Sequence, residues 1–218
     1  MKAKKEDTPI QYRFGGCFFC EMPFYVNKNV LIPRFCTETL VEVVIRNMKK
    51  GARILDLCTG AGAIACVLAR HEFNITATDI SRKALRVARK NARLHRLDIK
   101  FTRGDLFGAP ELQGQRFDAI ACNPPYVRTH EIGTHDPRTL HEPRIAFDGG
   151  DSGYDFYHRI AREADFYLRK GGKLFLEVGY DQAMPVTGIL EVNGFQDVEI
   201  FRDLSGRDRV VMATAGDR

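Results

Sequence analysis

The stretch that decides the fold of this chain is residues 52–70, ARILDLCTGAGAIACVLAR. Its first part, Ile54-Leu55-Asp56-Leu57, is apolar apart from one carboxylate and predicts a buried strand. Residues 63–69 predict a helix. Between the two lies Cys58-Thr59-Gly60-Ala61-Gly62, whose glycines allow a ligand to approach the backbone closely. The stretch therefore predicts a strand–loop–helix unit that binds a ligand at its loop.

A second carboxylate, Asp79, lies in the next predicted strand, residues 75–80, twenty-three residues after Asp56. At that spacing a carboxylate lies beside the same crevice and can accept hydrogen bonds from both hydroxyls of a ribose. The pattern Gly60-x-Gly62-x-x-Ala65 also nearly fits the dinucleotide fingerprint. The loop alone leaves a nicotinamide cofactor and S-adenosylmethionine both open, and Asp56 favours the methyl donor.

Residues 117–127, FDAIACNPPYV, combine a buried strand over Phe117–Cys122 with a stiff polar turn, Asn123-Pro124-Pro125-Tyr126. The Asn123 side-chain oxygen and the Pro124 carbonyl can each accept one N–H of a planar NH2 group. Tyr126 can stack on that group and exclude water. The alternative is that Asn-Pro-Pro is only a turn. Its position after a core strand, together with the glycine loop, favours amine or amide methylation over nicotinamide chemistry.

The rest of the chain alternates predicted strands and helices. The further strands are residues 99–102, 173–178, 195–201 and 209–213, and Asp105-Leu106-Phe107 forms a loop where an adenine can lie. Apolar residues at helical spacing predict a helix from Tyr157 that Gly171-Gly172 ends. This alternation predicts an α/β fold, a doubly wound, mostly parallel seven-stranded sheet whose last two strands form an antiparallel pair at one edge.

Three units are expected along the chain: a lead-in over residues 1–16, a small β-hairpin over 17–34 that turns around Asn27-Lys28-Asn29, and one globular unit over 35–218. A helix is predicted over residues 37–48 with Thr37 as its N-cap. The long segment 127–153 is expected to form one wall of a substrate groove, because loops of that length are commonly functional.

Composition narrows the setting of the protein. No run of 18 apolar residues and no secretory signal occur in the 218 residues, so we expect no membrane span and a cytoplasmic location. Six cysteines predict reduced thiols, and the single Cys17-x-x-Cys20 pair is weak evidence for a metal, so none is expected. The net charge is +5, and seven cations lie within residues 81–96. That helix is either a solvated face or a surface attracted to RNA, such as a ribosome.

With these residues in place, the chain resembles the HemK/PrmC-type protein-(glutamine-N5) methyltransferases, which modify class 1 peptide chain release factors. The resemblance covers residues 9–211. It includes Val30-Leu31-Ile32-Pro33-Arg34, the glycine loop, Asn123-Pro124-Pro125-Tyr126, Glu142-Pro143 and residues 172–179. It implies a class I S-adenosylmethionine-dependent methyltransferase fold and transfer of a methyl group to a glutamine side-chain nitrogen in a release factor.

The resemblance also implies site residues. S-adenosylmethionine would contact Asp56, Cys58, Thr59, Gly60, Ala61, Gly62, Asp79, Ile80, Asp105, Leu106 and Asn123. The glutamine would be held by Asn123, Pro124, Pro125 and Tyr126, of which Asn123, Pro124 and Tyr126 would be catalytic. No histidine or carboxylate is assigned as a base, because a methylated amide nitrogen loses its proton readily.

The chain departs from the family pattern at Cys58, where glycine is usual, at Phe35-Cys36, where Pro-Glu is usual, and at Leu106, which replaces an aromatic residue. The family's helical N-terminal domain is expected to be absent, because the resemblance begins near Pro9. The alternative functions are methylation of a nucleobase amine, methylation of a glutamine in a ribosomal protein, and cofactor binding without catalysis.

Overall fold

The computed structural model of this chain describes residues 8–134 and 136–216, which form six helices and nine strands. The helices are α1 (Ile10–Phe14), α2 (Glu38–Asn47), α3 (Ala63–Arg70), α4 (Arg82–Leu94), α5 (Asp155–Tyr167) and α6 (Ala183–Val192). The strands are β1 (Gly16–Phe19), β2 (Met22–Tyr25), β3 (Arg53–Leu57), β4 (Asn74–Asp79), β5 (Lys100–Arg103), β6 (Phe117–Cys122), β7 (Leu168–Glu177), β8 (Gln196–Arg202) and β9 (Asp208–Thr214).

The central sheet has seven strands in the order β5-β4-β3-β6-β7-β9-β8. Pairs from β5 to β7 are parallel, and β9 runs antiparallel to both β7 and β8. This confirms the predicted doubly wound, mostly parallel sheet with an antiparallel pair at one edge. The strand order reverses between β3 and β6, which places a ligand crevice at the carboxyl ends of these two strands.

Helices cover both faces of the sheet because alternate strand residues point to opposite sides. In β3, Ile54 packs in the cluster that contains α2 and α3, whereas Leu55 packs in the cluster that contains α5 and α6. Both residues are fully buried. Buried on both faces, the central strands consist of continuous apolar sequence, which explains why the strands near the site could be predicted closely.

A hairpin is present at the N-terminal side of the sheet, but its bounds differ from the predicted residues 17–34. The turn is at Cys20 and Glu21, which both have positive φ, and not at residues 27–29. The hairpin is fixed to α4, because the Asn91 amide donates to the Tyr25 carbonyl at 3.0 Å and accepts from its N–H at 2.8 Å. Residues 1–7 of the predicted lead-in lie outside the described residues.

One expectation about helices was wrong, one was confirmed only in position, and one helix was missed. Thr37 directly precedes α2 at the predicted N-cap position, but it lies in a 3₁₀ turn and its side chain makes no capping hydrogen bond. Helix α5 ends at Tyr167, and Gly171-Gly172 lie inside β7, where its register with β6 shifts. Helix α6 was not predicted, because Pro185 and Gly188 within it read as helix breakers. Across the described residues, no helix is long and apolar enough to cross a bilayer.

Candidate functional site

A cavity opens at the carboxyl ends of β3, β4 and β6 and contains about 1140 Å³ of empty space, including the part open to solvent. Most of the residues predicted from sequence line it. They are Cys58, Thr59, Gly60, Ala61, Asp79, Ile80, Asp105, Leu106, Asn123 and Pro125. Asp56, Gly62, Pro124 and Tyr126 do not line it. The structure thus brings together the two loops that the sequence singled out, although four of the expected residues are not among those that line the cavity.

The glycine loop follows β3 and depends on left-handed backbone at three positions. Cys58, Gly60 and Gly62 have φ of 56°, 54° and 79°. A Cβ on Gly62 would lie 3.0 Å from the Ala88 Cβ, so only glycine allows the loop to pack this closely on α4. A Cβ on Gly60 would meet nothing nearer than the Cys58 carbonyl at 3.9 Å, which leaves space for a ligand along the loop. A residue with a Cβ is strained at the φ of Cys58, which is a physical reason why the family usually has glycine at this position.

Asp79 connects the glycine loop to the start of α4. Its Oδ2 accepts from the Gly60 N–H at 2.9 Å, and its Oδ1 accepts from the Ser81 N–H at 2.7 Å. Burial raises the pKa of Asp79, and these two backbone hydrogen bonds oppose the rise. Each carboxylate oxygen has a second lone pair, so Asp79 can still accept hydroxyl groups from a ligand in the cavity.

Asp56 lies beneath the loop and is fully buried. Its Oδ2 accepts from the Thr59 hydroxyl at 2.5 Å. Burial raises the pKa of Asp56 to about 7, although the Thr59 hydrogen bond lowers it. Asp56 therefore supports the loop from below, whereas the sequence had suggested direct contact with the cofactor.

One wall of the cavity comes from the loop after β5 and from α5. Leu106 is buried with φ of 49°, and the exposed Asp105 accepts a hydrogen bond from Arg159 at 2.7 Å. Phe156 and Arg159 of α5 also line the cavity. The sequence analysis missed both α5 residues, because nothing local marks which face of a helix meets a loop some 50 residues earlier.

The Asn-Pro-Pro-Tyr turn follows β6 and is held from behind. The Asn123 Nδ2 donates to the Thr37 Oγ1 at 3.2 Å, and Thr37 also lines the cavity. The Tyr126 hydroxyl donates to the Glu177 Oε1 at 3.2 Å, so this side chain is anchored at the protein interior. Tyr126 is half-buried and is not among the residues that line the cavity.

Glu177 is a fully buried carboxylate at the end of β7 that the sequence analysis did not single out. Burial raises its pKa to about 7, whereas hydrogen bonding with Thr37, attraction to Arg209, and hydrogen bonding with Tyr126 and Asn123 lower it. A carboxylate at the carboxyl end of a predicted core strand is the signal that could have identified it.

The segment 127–153 reaches the cavity through an ion pair. The Arg34 guanidinium pairs with Glu142, whose Oε2 also accepts from the Ile32 N–H at 2.9 Å. Pro143, Ile145 and Ala146 follow and line the cavity, as do Leu31, Pro33 and Arg34. The long segment does form a wall of the cavity, as predicted, and two large apolar side chains lie exposed beside it, Phe35 at 69% and Ile145 at 54%.

This arrangement can hold a nucleoside through Asp79 and the glycine loop, and an amide or amine through the Asn123 side chain. Cys17 and Cys20, the possible metal pair, lie in the hairpin. Burial raises their pKa values to about 11 and about 12, so both remain neutral thiols at neutral pH.

Comparison with known proteins gives concordant results. The family model for the methyltransferase small domain matches residues 35–142. A release factor glutamine methyltransferase from Thermodesulfovibrio yellowstonii is 40% identical over 97% of this chain and 77% of its own length. One from Clostridium acetobutylicum is 39% identical over 99% of this chain and 78% of its own length.

Solved structures agree with the sequence relatives. A release factor-specific protein-(glutamine-N5) methyltransferase from Alicyclobacillus acidocaldarius is 29% identical, with a TM-score of 0.52, and covers 89% of this chain and 100% of its own. A methyltransferase from Pyrococcus furiosus is only 17% identical but has a TM-score of 0.69 over 89% of both chains, which supports the fold.

Proposed function

Because this chain belongs to the release factor glutamine methyltransferases, we propose that its cavity binds S-adenosylmethionine beside a turn that holds the side-chain amide of a release-factor glutamine. The observation that carries the proposal is the adjacency of the glycine loop and the Asn123 turn. Leu57 at the end of β3 pairs with Cys122 at the end of β6, so the residues that follow them share one cavity.

The residues of this cavity fit S-adenosylmethionine. Asp79 would accept the ribose hydroxyls, the backbone of residues 58–61 would hold the amino acid portion, and Asp105 and Leu106 would border the adenine. When bound, S-adenosylmethionine supplies an electrophilic methyl group on a sulfonium. The space along Gly60, which lacks a Cβ, provides the close backbone approach that such a ligand requires.

Asn123 positions the glutamine nitrogen. Because its Nδ2 donates to Thr37, its Oδ1 remains for the substrate, and an amide N–H donates to it. The second N–H donates to the Pro124 carbonyl, which follows a strand end and has no ladder partner there. Held at both hydrogens, the nitrogen is aligned for attack, and alignment of this kind can remove roughly 7–11 kcal/mol of barrier. Once methylated, the amide nitrogen would lose its proton readily to water, so no side chain of this protein is assigned as a base.

The substrate reaches this turn past the exposed Phe35 and Ile145. Ile145 lines the cavity, and Phe35 directly follows Arg34, which also lines it. We propose that the protein segment carrying the glutamine contacts this apolar edge, which a free amino acid would contact less.

The test of this function is methylation of a release-factor peptide by Asn123→Ala. Removing one preorganised hydrogen-bonding group of this kind is typically worth about 2.7–4 kcal/mol in the transition state, so turnover should fall by about two to three orders of magnitude. Cofactor affinity should change much less. Asn74→Ala is the control, because Asn74 begins β4 at the opposite end of the sheet. An Asn123→Ala protein that methylates glutamine at the parental rate would contradict the proposed mechanism.

A second candidate, methylation of a nucleobase amine, is favoured by the cations of α4 and its flanks. Six of the seven cations in residues 81–96 are exposed. Lys83, Arg86 and Lys90 border a surface cleft with Tyr25, and the Lys90 Nζ lies 3.2 Å from the centre of the Tyr25 ring. We propose that this surface keeps the protein near RNA, as on a ribosome, while the methyl acceptor is a glutamine.

Salt dependence separates these two candidates. RNA binding should weaken linearly on a log–log plot of affinity against salt, with a shallower slope in Lys83→Glu. Methylation of a short glutamine peptide should be the same in Lys83→Glu and the parent. Transfer of methyl groups to RNA, but not to the peptide, would favour nucleobase methylation. All six cysteines are free thiols, which supports a cytoplasmic location for this activity.

A further inference from the structure

We infer that Thr37 and Glu177 are positioning residues, which hold the Asn123 side chain with its oxygen toward the substrate. This inference rests on the proposed function, because it concerns how Asn123 presents an acceptor to the glutamine amide. Neither residue belongs to the Asn-Pro-Pro-Tyr turn, and they reach it from two other parts of the chain.

The fold places these side chains together behind the turn. Cys122 at the end of β6 pairs with Leu176 of β7, so Asn123 and Glu177 follow at adjacent strand ends. Thr37 approaches from the 3₁₀ turn that precedes α2, and its Oγ1 lies 3.2 Å from the Asn123 Nδ2. Thr37 is 4% exposed and Glu177 is 0% exposed, so water does not substitute easily for either partner.

A primary amide has a donor end and an acceptor end of nearly the same shape, and only its partners decide which end points where. An ionised carboxylate can only accept hydrogen bonds. The lone pairs of the Thr37 Oγ1 face the Asn123 Nδ2, which lies 3.2 Å away, and hydrogen bonding by Thr37 and by Asn123 lowers the pKa of the buried Glu177 carboxylate. The reversed amide would place its oxygen against these lone pairs, next to a buried negative charge. This arrangement of hydrogen-bond partners therefore leaves the Asn123 Oδ1 facing the cavity.

Glu177 is itself held in place by other side chains. The Tyr126 hydroxyl donates to its Oε1, and the Arg209 guanidinium on the neighbouring β9 favours its charged form. The Tyr157 hydroxyl of α5 donates to the Glu177 carbonyl at 2.9 Å. The buried carboxylate and the Thr37 hydroxyl thus both lie on the side of the Asn123 NH2 group, and the amide takes its orientation from the two together.

The kinetic test compares Glu177→Gln, Thr37→Val and Thr37→Ser at pH 8.5, where the carboxylate is ionised. We expect Glu177→Gln and Thr37→Val to lower kcat about tenfold to hundredfold, because a small misplacement of the nucleophile has that effect. The dissociation constant of S-adenosylmethionine and the KM of the peptide should change little. Thr37→Ser keeps the hydroxyl and should restore most of the rate. Thr78→Val is the matched control, because the Thr78 hydroxyl is buried but has no partner.

Double variants show whether the residues act through Asn123. In an Asn123→Ala background, adding Glu177→Gln or Thr37→Val should cause no further loss of kcat, since the side chain that they orient is absent. The inference is overturned if the losses simply multiply in the double variants. It is also overturned if Glu177→Gln and Thr37→Val keep the parental kcat. Should Glu177→Gln fail to fold, the Thr37 variants decide the matter.

A measurement on the protein without turnover keeps the inference separate from the proposed function. The two Nδ2 protons of Asn123 can be followed by NMR in uniformly nitrogen-15-labelled protein. We expect slow exchange with water in the parent and in Thr37→Ser, and faster exchange in Thr37→Val. Equal exchange in all three overturns the positioning role, even if the enzyme methylates glutamine. A parent protein with protected protons that methylates no glutamine contradicts the proposed function only.

Discussion

The substitution Asp79→Asn should weaken both the glycine loop and cofactor binding. The Asp79 carboxylate accepts two backbone N–H groups, from Gly60 at 2.9 Å and from Ser81 at 2.7 Å. Asparagine has one acceptor oxygen, so its NH2 group would face one of these N–H groups. A hydrogen bond to a charged group contributes about 1.5–3 kcal/mol, and we expect the free energy of unfolding to fall by about that amount.

The same change removes the charged acceptor for the ribose. A buried donor left unsatisfied costs about 1–3 kcal/mol, which corresponds to a loss of about 5- to 150-fold in affinity for S-adenosylmethionine. Isothermal titration calorimetry measures this loss, and urea unfolding in the absence of ligand measures the stability term separately.

The matched control for this prediction is Asp203→Asn. The Asp203 Oδ1 accepts two backbone N–H groups, from Ser205 at 2.9 Å and from Arg207 at 3.1 Å, and its Oδ2 accepts from the Arg209 guanidinium at 3.3 Å, but Asp203 lies in the turn between β8 and β9. Asparagine would lose the ion pair with Arg209. That variant should lose stability and keep its affinity for the cofactor. If Asp79→Asn binds S-adenosylmethionine as tightly as the parent, Asp79 does not contact the ribose and our placement of the cofactor is wrong.

Three further outcomes are expected. The left-handed backbone conformation strains Cys58 by about 1–2 kcal/mol. Cys58→Gly should therefore bind the cofactor at least as tightly as the parent, and Cys58→Ala nearly as tightly. A large loss of affinity in Cys58→Ala would show that the thiol takes part in binding. The pKa of Asp56 rises from 3.8 to about 7 on folding, so the folded state retains a proton that the unfolded state has lost, and stability falls between about pH 4 and 7. The free energy of unfolding, measured with urea at pH 5 and at pH 8, should fall less in Asp56→Asn than in the parent. The difference between the two proteins should be up to about 1.4 kcal/mol per pH unit, and an equal fall would contradict the raised pKa of Asp56. Tyr126→Phe should lose about 1–3 kcal/mol of stability and part of the turnover, because it keeps the ring but removes the hydroxyl that holds Glu177, and Tyr126→Ala should lose more turnover.

Local chemistry was sufficient to predict the strand and loop that open the site. An apolar run such as Ile54-Leu55-Asp56-Leu57 is buried on both faces of a sheet in whatever order the strands pair. Glycines that need positive φ, and two consecutive prolines, restrict the backbone by themselves. The family resemblance rests on the same local patterns, and the comparisons confirm it.

Local chemistry misled where the backbone departs from its usual residue preferences. The hairpin turns at Cys20 and Glu21, whose backbone is left-handed although neither residue is glycine. The Asn27-Lys28-Asn29 stretch, which was predicted to be the turn, lies beyond the hairpin. Thr37 has the composition of an N-cap, but it lies in helical conformation and its hydroxyl is a partner for Asn123 instead.

The supports of the site were decided only by the tertiary structure. Arg34 and Glu142 are 108 positions apart, Asn123 and Thr37 are 86 apart, and Tyr126 and Glu177 are 51 apart. Tyr126 and Glu177 meet because β6 and β7 are neighbours in the sheet, whereas Arg34, Thr37 and Glu142 are brought in by the segments before α2 and after β6. Strand order and the path of these segments are properties of the whole chain. The sequence alone could therefore single out Asn123 as a candidate for contact with the substrate. Which way its amide points depends on buried partners that only the packed sheet brings within hydrogen-bonding distance.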